Sequence, residues 1–275
     1  MTYTFPKDFS EPVLALCALG EDAARQSEWI DYQATLGLKD EHIPELIRIV
    51  EDIEIFMPED EDVDEDAPEI YAPIHAWRAL GQLKAEQAIP ALMDLTILND
   101  DLNIDWIMEE MPETMAMIGL ACIHPLREYL LNPRKLEWAS AICSSSLEKI
   151  GMAHSKSRTD CVKALEDALE NYADNDPGVN AFIIASLAGL NASESDATVK
   201  RVFNADAVNL TIIGDYEDYQ VKVGLREKRK TPVRNYFDEK FHIKEMMQGF
   251  EKDMRIKKQA DDLFALVDPK FKKGK

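Results

Sequence analysis

A run of alternating acidic residues is the first place where side chains of this chain could do chemistry. An acid stands at every second position from Asp60 to Asp66, within the stretch MPEDEDVDEDAPEIYAP. Carboxylate oxygens at such spacing are the ligands that Ca²⁺ takes from a binding loop. A calcium loop also needs a glycine at its sharp turn, which is missing here, and Pro68 interrupts the end. We therefore predict a solvated loop without a metal, in which four acids are candidate partner-binding residues: Asp60, Asp62, Asp64 and Asp66.

Other residue types that commonly carry catalysis are not arranged for it. A serine hydrolase needs a strained elbow such as G-x-S-x-G, whereas the serines of Cys143–Lys149 fall in a helical pattern. The chain has no G-x-G-x-x-G and no P-loop to hold a nucleotide. Its five histidines form no H-x-x-x-H or H-E-x-x-H pair, which would place two zinc ligands on one helix. The sequence therefore predicts no catalytic residue, no metal and no cofactor.

His75, Arg78 and Trp106 are the other candidates for contact with a partner. His75 and Arg78 are three positions apart, so they share one face of a helix. They could bind a partner's carboxylate, or they could hydrogen-bond to acids elsewhere in this protein. Trp77, between them, is predicted to pack in the core. Trp106 lies in an acidic stretch and is a candidate contact residue, because aromatic residues are enriched at interface hot spots; it could equally pack that stretch against the body.

The elements that position these candidates recur along the chain. Five apolar stretches each end at a glycine, and each is followed after a short break by an amphipathic stretch. The glycines stand 44, 38, 32 and 38 residues apart, and they are Gly37, Gly81, Gly119, Gly151 and Gly189. Internal spacing near 40 residues is typical of stacked helix pairs. We expect each glycine to close the first helix of a pair in the left-handed conformation, which costs glycine no steric penalty.

The second stretch of each pair has the periodicity of a helix that covers a core. Apolar residues recur at steps of three and four, as in Ile89, Leu92 and Met93. Prolines near the start fit the first helical turn, where a missing N–H costs little; these are Pro44, Pro90 and Pro125. A lone pair cannot bury its apolar face, so neighbouring pairs must stack. The predicted fold is all-α, an α-solenoid of about five helix pairs with a C-terminal cap and a helical basic tail.

The repeats resemble HEAT or HEAT-like repeats, and HAWRALGQLKAEQAIPALMDL follows the general pattern of such units in bacterial proteins. A wider resemblance, over about residues 25–224, is to a group of bacterial HEAT-repeat proteins of unassigned function. These proteins combine a P-x-H-A-W-R-A-L-G-Q-L block, here Pro73–Leu83, with a closing G-D-[WY]-E-D-x-x-x-x-x-G-L block, here Gly214–Leu225. Some members continue into a cysteine-rich, zinc-binding tail, but this chain has no cysteine after Cys161. The resemblance implies a fold and no activity.

The segment after the last pair is predicted to cover the apolar face that the final helices leave exposed. It contains one short helix, from Tyr216 to Val223. Asp215 and Asp218 are predicted to cap helix ends through their carboxylates, which is a structural role rather than a catalytic one.

The distribution of charge divides the chain into two predicted parts. Residues 1–225 form an acidic HEAT-like solenoid with its cap, and residues 226–275 form a basic linker and an amphipathic helical tail. From Val221 to Lys275 there are 16 Lys and Arg against 9 Asp and Glu, so the total charge of −21 leaves −28 on residues 1–220. Because nucleic-acid binding relies on basic residues that displace counterions, the body is not expected to bind DNA or RNA. The tail could dock on the body, bind a partner or lie on a membrane surface, although its acids disfavour the membrane.

Three features predict a cytoplasmic protein. No stretch of about 18 uninterrupted apolar residues could span a membrane. The N-terminus lacks the basic leading segment of a secretory signal. The cysteines are far apart in apolar stretches without a C-x-x-C, so we expect buried, reduced thiols at Cys17, Cys122, Cys143 and Cys161.

These observations favour a non-enzymatic interaction protein. A solenoid offers an extended surface, and the acidic body selects a basic protein partner. The alternative is an enzyme on a HEAT-like scaffold, such as a protein that resembles the phycobilisome lyases, which attach bilins to cysteines. The HEAT-like alkylpurine DNA glycosylases are a second enzyme class of this kind, but they need a basic face. The sequence does not set the oligomeric state.

Overall fold

The computed structural model describes residues 8–52, 67–234 and 236. Within these residues the chain is all-α and has no β-strand, which confirms the predicted fold class. The chain divides into two units, Met1–Lys228 and Arg229–Lys275. The predicted acidic loop residues Asp60, Asp62, Asp64 and Asp66 lie outside the described residues, as do the tail helices predicted from Phe237 onward.

The described part of the first unit consists of short and medium-length helices. In chain order they are α1 (Glu11–Cys17), α2 (Gly20–Ala24), α3 (Tyr32–Leu36), α4 (Ile43–Glu51), α5 (Ala72–Gln82), α6 (Ile89–Leu102), α7 (Asp105–Ile118), α8 (Ile123–Leu131), α9 (Glu137–Ala153), α10 (Arg158–Leu169), α11 (Pro177–Gly189), α12 (Asp196–Asn204), α13 (Leu210–Ile213) and α14 (Tyr216–Lys222). None of the described helices is long and apolar enough to cross a membrane.

A three-residue 3-10 helix joins one α-helix to the next at five places in the described residues. These joints are Asp40–His42, Glu86–Ala88, Leu120–Cys122, Ser155–Ser157 and Ser193–Ser195. The helix after each joint begins at once, and Pro44 and Pro90 occupy the first turn of theirs as predicted. Proline fits there because the first N–H groups of a helix have no carbonyl partner within the helix.

Helices of the same kind pack against one another, in unbroken chain order for the first series and with a gap between α6 and α8 for the second. The helices before the joints form one series, in which α5 contacts α7, α7 contacts α9 and α9 contacts α11. Among the helices after the joints, α4 contacts α6, α8 contacts α10 and α10 contacts α12. Buried aliphatic side chains fill the space between the helices, and each such side chain contributes about 1.5–3 kcal/mol when it leaves water.

The glycines that mark the repeats differ in structural role, and the predicted left-handed conformation occurs at Gly37, which directly follows α3 with a φ of 71° and a ψ of 24°. Gly119 also directly follows a helix with a positive φ, of 98°, but its ψ of −140° lies outside the left-handed helical region. The prediction is wrong for three glycines that lie inside helices: Gly81, Gly151 and Gly189. Positive φ angles come later in the chain at two of these places, at Lys84 with 53° and at Asn191 with 52°.

Close approach of helices explains the glycines inside helices. A Cβ added to Gly81 in α5 would lie 3.3 Å from the Cα of Thr114 in α7. A Cβ on Gly151 in α9 would lie only 2.7 Å from Cδ2 of Leu190. A side chain at either position would crowd the neighbouring element. Glycine is therefore present at Gly81 and Gly151 because the elements pack closely there, and not because a helix ends.

The end of the first unit contains the predicted cap helix. Helix α14 starts at the predicted residue and ends one residue earlier than expected. The Asp215 carboxylate accepts hydrogen bonds from the N–H groups of Glu217 and Asp218, and the Asp218 carboxylate accepts one from the Asp215 N–H at 3.0 Å. This reciprocal capping confirms the structural role of both acids. Tyr219 is buried, and its hydroxyl donates to the Ala192 carbonyl at 2.9 Å, which ties α14 to the last joint.

The packing role of Gly151 can be tested by Gly151→Ala. Because alanine favours the helix more than glycine does, the change by itself should stabilise the fold by about 1 kcal/mol. Overpacking against Leu190 should destabilise the fold by about 1–3 kcal/mol. We expect a net loss of about 1 kcal/mol in the free energy of unfolding, measured by urea denaturation. In a Leu190→Ala background the contact is relieved, so the same substitution should be neutral or stabilising there. A gain in stability in the unmodified chain would contradict the close-approach explanation.

Candidate functional site

His75 lies on α5, and 0% of its surface is exposed. Its Nδ1 is 2.7 Å from the Tyr32 hydroxyl, and its Nε2 is 3.1 Å from the Gly20 carbonyl oxygen. A neutral ring satisfies both contacts, because the Tyr32 O–H donates to Nδ1 while Nε2–H donates to the carbonyl. Burial lowers the pKa of His75 to about 4. His75 therefore acts inside the protein, where it has no surface to offer a partner.

Arg78, one turn further along α5, forms a buried ion pair with Glu110 of α7. Its Nε donates to Glu110 Oε2 at 2.7 Å, its Nη2 donates to Glu110 Oε1, and Nη2 also reaches the Ala24 carbonyl at 2.7 Å. Trp77 is fully buried as predicted, and its Nε1 donates to Glu110 Oε2 at 2.9 Å. Burial disfavours the charge on Arg78, but the hydrogen bonds and charge of Glu110 outweigh it and raise its pKa. Of the two roles considered for Arg78, the structure shows the internal one.

Gln82 completes the polar face of α5. Its side-chain Nε2 donates to the Ile30 carbonyl at 2.7 Å, and its Oε1 accepts from the Tyr32 N–H at 3.0 Å. Residues 75, 78 and 82 follow the i, i+3, i+7 spacing of one helix face. All three bind the backbone or side chains of residues 20–32, a segment that consists of the short helix α2, the non-helical residues 25–31 and the start of α3. We name these three residues the α5 polar face. Their contacts account for the polar residues in the otherwise apolar stretch HAWRALGQ.

The guanidinium of Arg78 lies between two tryptophans. Its Cζ is 5.1 Å from the ring centre of Trp29 and 5.6 Å from that of Trp106, so both rings make cation–π contacts. Both tryptophans are half-buried. The third guanidinium nitrogen, Nη1, forms no close hydrogen bond, but the Tyr32 hydroxyl interacts with the Arg78 side chain and helps to raise its pKa. The guanidinium therefore belongs to the internal network that also holds Tyr32 and His75.

A cleft of about 750 Å³ opens beside these aromatic rings, and we call it the aromatic cleft. It lies between the segment after α2 and the start of α7. The residues of its wall that matter here are Arg25, Trp29, Arg78, Asp105, Trp106 and Glu109. Its volume falls within the range of about 300–1,000 Å³ that is usual for ligand sites.

Two carboxylates stand at the cleft without a partner. Asp105 and Glu109 are exposed and four residues apart on α7, so they lie on the same side of the helix. Within the described part of the chain, neither forms a hydrogen bond or an ion pair. Arg25, the exposed cation of the cleft, is already paired with Glu21 and lies 5.9 Å from the Trp106 ring. The cleft therefore offers free acceptors at its rim.

Sequence reasoning found part of this site. It named Arg78 and Trp106, which the structure brings together, and His75, which lies deeper in the interior. Trp106 also packs against the core cluster, so it combines the two roles considered for it. The residues that it missed are Trp29, Tyr32, Gln82, Asp105, Glu109 and Glu110. Gln82 carried a signal, because it continues the helical face of His75 and Arg78, and the three acids stand in the acidic stretch around Trp106. Partner binding by the named residues stays a prediction.

A second cleft, of about 420 Å³, lies between α8 and α10. Its cations Arg127 and Lys163 both bond to Asp167, at 3.0 Å each. Arg127 also pairs with Glu128 at 2.9 Å, so both cations of this cleft already have acidic partners, and no aromatic residue other than His124 lines it. The aromatic cleft is the better candidate site.

Chemistry at the cysteines and at metal ions has little support among the described residues. All four cysteines are buried and unpaired, as predicted, and burial raises the pKa of Cys17 and Cys122 to about 12. A thiol with so high a pKa is a weak nucleophile at neutral pH. In the parts of the chain that the structure describes, no three His, Cys, Asp or Glu side chains are grouped to hold a metal ion.

The Arg78–Glu110 pair can be tested by substitution. Glu110→Gln keeps the shape but leaves the Arg78 charge buried without a counterion, which should cost about 3–5 kcal/mol in the free energy of unfolding. The double change Arg78→Met with Glu110→Leu removes both charges. In urea denaturation it should lose much less of the free energy of unfolding than Glu110→Gln does. Arg78→Met and Glu110→Leu are also measured singly, and if the double variant lost as much stability as these two single variants together, the pair would not act as a unit.

The state of His75 makes stability depend on pH. The unfolded chain protonates this residue near its ordinary pKa of 6.5, whereas the folded chain does so only near 4. Between these values the unfolded state binds more protons, so stability falls as the pH falls, by up to about 3 kcal/mol. His75→Gln should lack this part of the pH dependence. Urea denaturation of both proteins at pH 7 and at pH 4 should therefore show a smaller loss in the free energy of unfolding for the variant. Equal losses in both proteins would show that His75 is not held neutral.

Comparison with curated proteins and with solved structures gives no match. The model of one family, described as proteins of unknown function (DUF1186), matches residues 29–255. This range covers most of the chain and includes both tryptophans of the aromatic cleft and the Arg78–Glu110 pair. The chain therefore belongs to the DUF1186 family, whose function is unknown.

Proposed function

We propose that this protein is a non-enzymatic scaffold or adaptor that binds a basic protein partner. The observation that carries the proposal is the aromatic cleft, where the unpaired carboxylates of Asp105 and Glu109 stand beside half-buried Trp29 and Trp106. Aromatic residues are enriched at protein-binding sites, where the rings supply contact area, and charges at the polar rim of a site select the partner.

The architecture that presents this cleft is, in our proposal, a HEAT-like α-solenoid of about five helix pairs. Five 3-10 joints and the chain-order packing of α5, α7, α9 and α11 support it. In such an architecture each pair contacts mainly its neighbours, so the surface is extended relative to the core. An extended surface suits a binding protein.

The charge of the described residues supports a basic partner. Residues 8–52 and 67–220 contain 35 Asp and Glu against 14 Lys and Arg, so the acidic excess does not depend on residues 53–66. Such a field attracts basic surfaces and repels the phosphates of nucleic acids. We also propose a cytoplasmic location, because four unpaired buried thiols suit a reducing compartment.

Affinity capture from native extract tests the proposed function. The full chain at about 50 mM salt should recover a protein with a basic surface, and about 300 mM salt should release it, since salt screens exposed charges. Asp105→Asn with Glu109→Gln should recover less of that protein. A control with the same change of charge, Asp94→Asn with Asp174→Asn, alters exposed acids outside the cleft and should recover as much as the unchanged chain. An empty capture, or a capture that neither salt nor the cleft variant reduces, would contradict the proposal.

A further inference from the structure

The loop between α8 and α9 carries an arginine that has no acidic partner. Arg134 is exposed and forms no ion pair with any residue that the structure describes. The other arginines described up to residue 228 each pair with a carboxylate; they are Arg25, Arg48, Arg78, Arg127, Arg158, Arg201 and Arg226. Acids outnumber bases in this chain by 52 to 31, so the difference does not come from a shortage of carboxylates. Arg134 is left to bind an anion from outside this unit.

Lys135, the next residue, also lacks an acidic partner among the described residues. Its Nζ donates to the carbonyl oxygen of Asn132 at 3.2 Å. Partial burial lowers the pKa of Lys135, and the charge of Asp174 opposes that shift without forming an ion pair. A carboxylate placed at this loop would favour the charged form of Lys135 and would pair with Arg134 as well.

Exposed apolar side chains stand beside these two cations. Leu136 and Trp138 have 43% and 45% of their surface exposed, and Trp138 is the one exposed aromatic residue in the described part of the chain. Its ring centre lies 6.0 Å from that of the half-buried Phe182 of α11, so the two rings form one apolar platform. We name five residues the Trp138 surface: Arg134, Lys135, Leu136, Trp138 and Phe182.

The loop that presents these side chains is held in shape by its own hydrogen bonds. The Asn132 side chain accepts from the Arg134 N–H at 2.9 Å, and the Tyr129 hydroxyl accepts from the Leu136 N–H at 3.0 Å. Asp100 of α6 accepts from two N–H groups at the start of α9, so that helix end is already satisfied. Because the loop is ordered in advance, a partner does not have to order it on binding.

The composition of the Trp138 surface fits an acidic polypeptide segment better than other anions. None of its residues lines either of the two clefts described above, whereas small molecules bind in concave sites. A nucleic acid would bring a dense row of phosphates close to Glu137 and Asp174 and to a body with a charge of −28. A second copy of this chain would bring the same negative charge as the first. A polypeptide segment can place a few carboxylates next to an apolar side chain.

We propose that the Trp138 surface binds an acidic segment of another protein, whose carboxylates pair with Arg134 and Lys135 and whose adjacent apolar side chain lies against Trp138. This surface shares no residue with the aromatic cleft, so the inference does not depend on the proposed function. The negative field of the body opposes an acidic segment only over a short range, because the Debye length at physiological salt is about 8 Å. Contact covers the exposed indole of Trp138, so binding changes the tryptophan fluorescence.

Titration of the full chain with blocked pentapeptides tests the inference. The main probe is acetylated, amidated Glu-Ala-Leu-Ala-Glu, which places the three larger side chains on one face when it is extended. The comparison peptides are Gln-Ala-Leu-Ala-Gln, Glu-Ala-Ala-Ala-Glu and Lys-Ala-Leu-Ala-Lys. Calorimetry gives the affinities, and fluorescence locates the contact, since Trp138→Phe should remove the signal. We expect the main probe to bind most tightly, and the glutamine peptide to bind about tenfold more weakly because it lacks the charged acceptors.

A charge variant and a matched control locate the binding. Arg134→Gln with Lys135→Gln should weaken binding of the main probe about tenfold or more. Lys156→Gln with Lys200→Gln makes the same change of charge at exposed lysines outside the surface and should leave the affinity unchanged. The capture of a basic partner through the aromatic cleft should be the same in both variants, so the two proposals fail separately.

Four results would overturn the inference. Equal affinity for the glutamine peptide would exclude the paired carboxylates, and tighter binding of the lysine peptide would assign the opposite charge to the ligand. Tighter binding of a uridine hexanucleotide would assign the surface to nucleic acid. Self-association in sedimentation that the Arg134→Gln, Lys135→Gln variant abolishes would assign it to a second copy. Absence of binding by every peptide at millimolar concentration would leave the surface without this role.

Discussion

The buried pair of Arg78 and Glu110 is the interaction on which the rest of the described site depends. A guanidinium and a carboxylate lose their hydration when they are buried, and only complete hydrogen bonding offsets that cost. Glu110 meets the requirement with donors from Arg78 and Trp77, and Arg78 reaches the Ala24 carbonyl as well. These bonds join α5, α7 and the N-terminal segment in one network. The position of the segment, and hence one wall of the aromatic cleft, follows from the need to satisfy these charges.

Helix α9 of the first series satisfies its buried serine hydroxyls differently. In α9, Ser140, Ser144 and Ser146 are buried, and each hydroxyl donates to the carbonyl four residues earlier in the chain. Such a group needs nothing from a neighbouring helix, so α9 can pack through small side chains against α7 and α11. The α5 polar face instead needs partners from other segments. Helix α9 is therefore suited to close packing against its neighbours, whereas α5 holds residues 20–32 in place through its polar side chains.

The sequence was informative where a periodic pattern determines structure. The helical class, the proline positions and the capping role of Asp215 follow from local rules, and each is present in the structure. The glycine spacing correctly indicated recurring elements, but it did not show why glycine stands at each position. A recurring glycine can mark the end of a helix or a place where two elements pack closely, and the spacing alone does not distinguish the two. The partner of Arg78 could not be identified, because Glu110 is 32 positions away and one of 52 acids. Trp29 lies in a segment without periodicity, so no local pattern connects it to the cleft.

The hydrogen bonds between the α5 polar face and residues 20–32 have a consequence for the order in which parts of the protein can fold during synthesis. The segment from Gly20 to Tyr32 leaves the ribosome before α5, which carries the side chains that hold it, and Glu110 comes later still. At about 5–20 residues per second, the interval between Ala24 and Glu110 lasts about 4–17 seconds. Throughout that interval the nascent segment lacks its hydrogen-bonding partners. Residues 20–32 are therefore made well before the residues that give them their native surroundings.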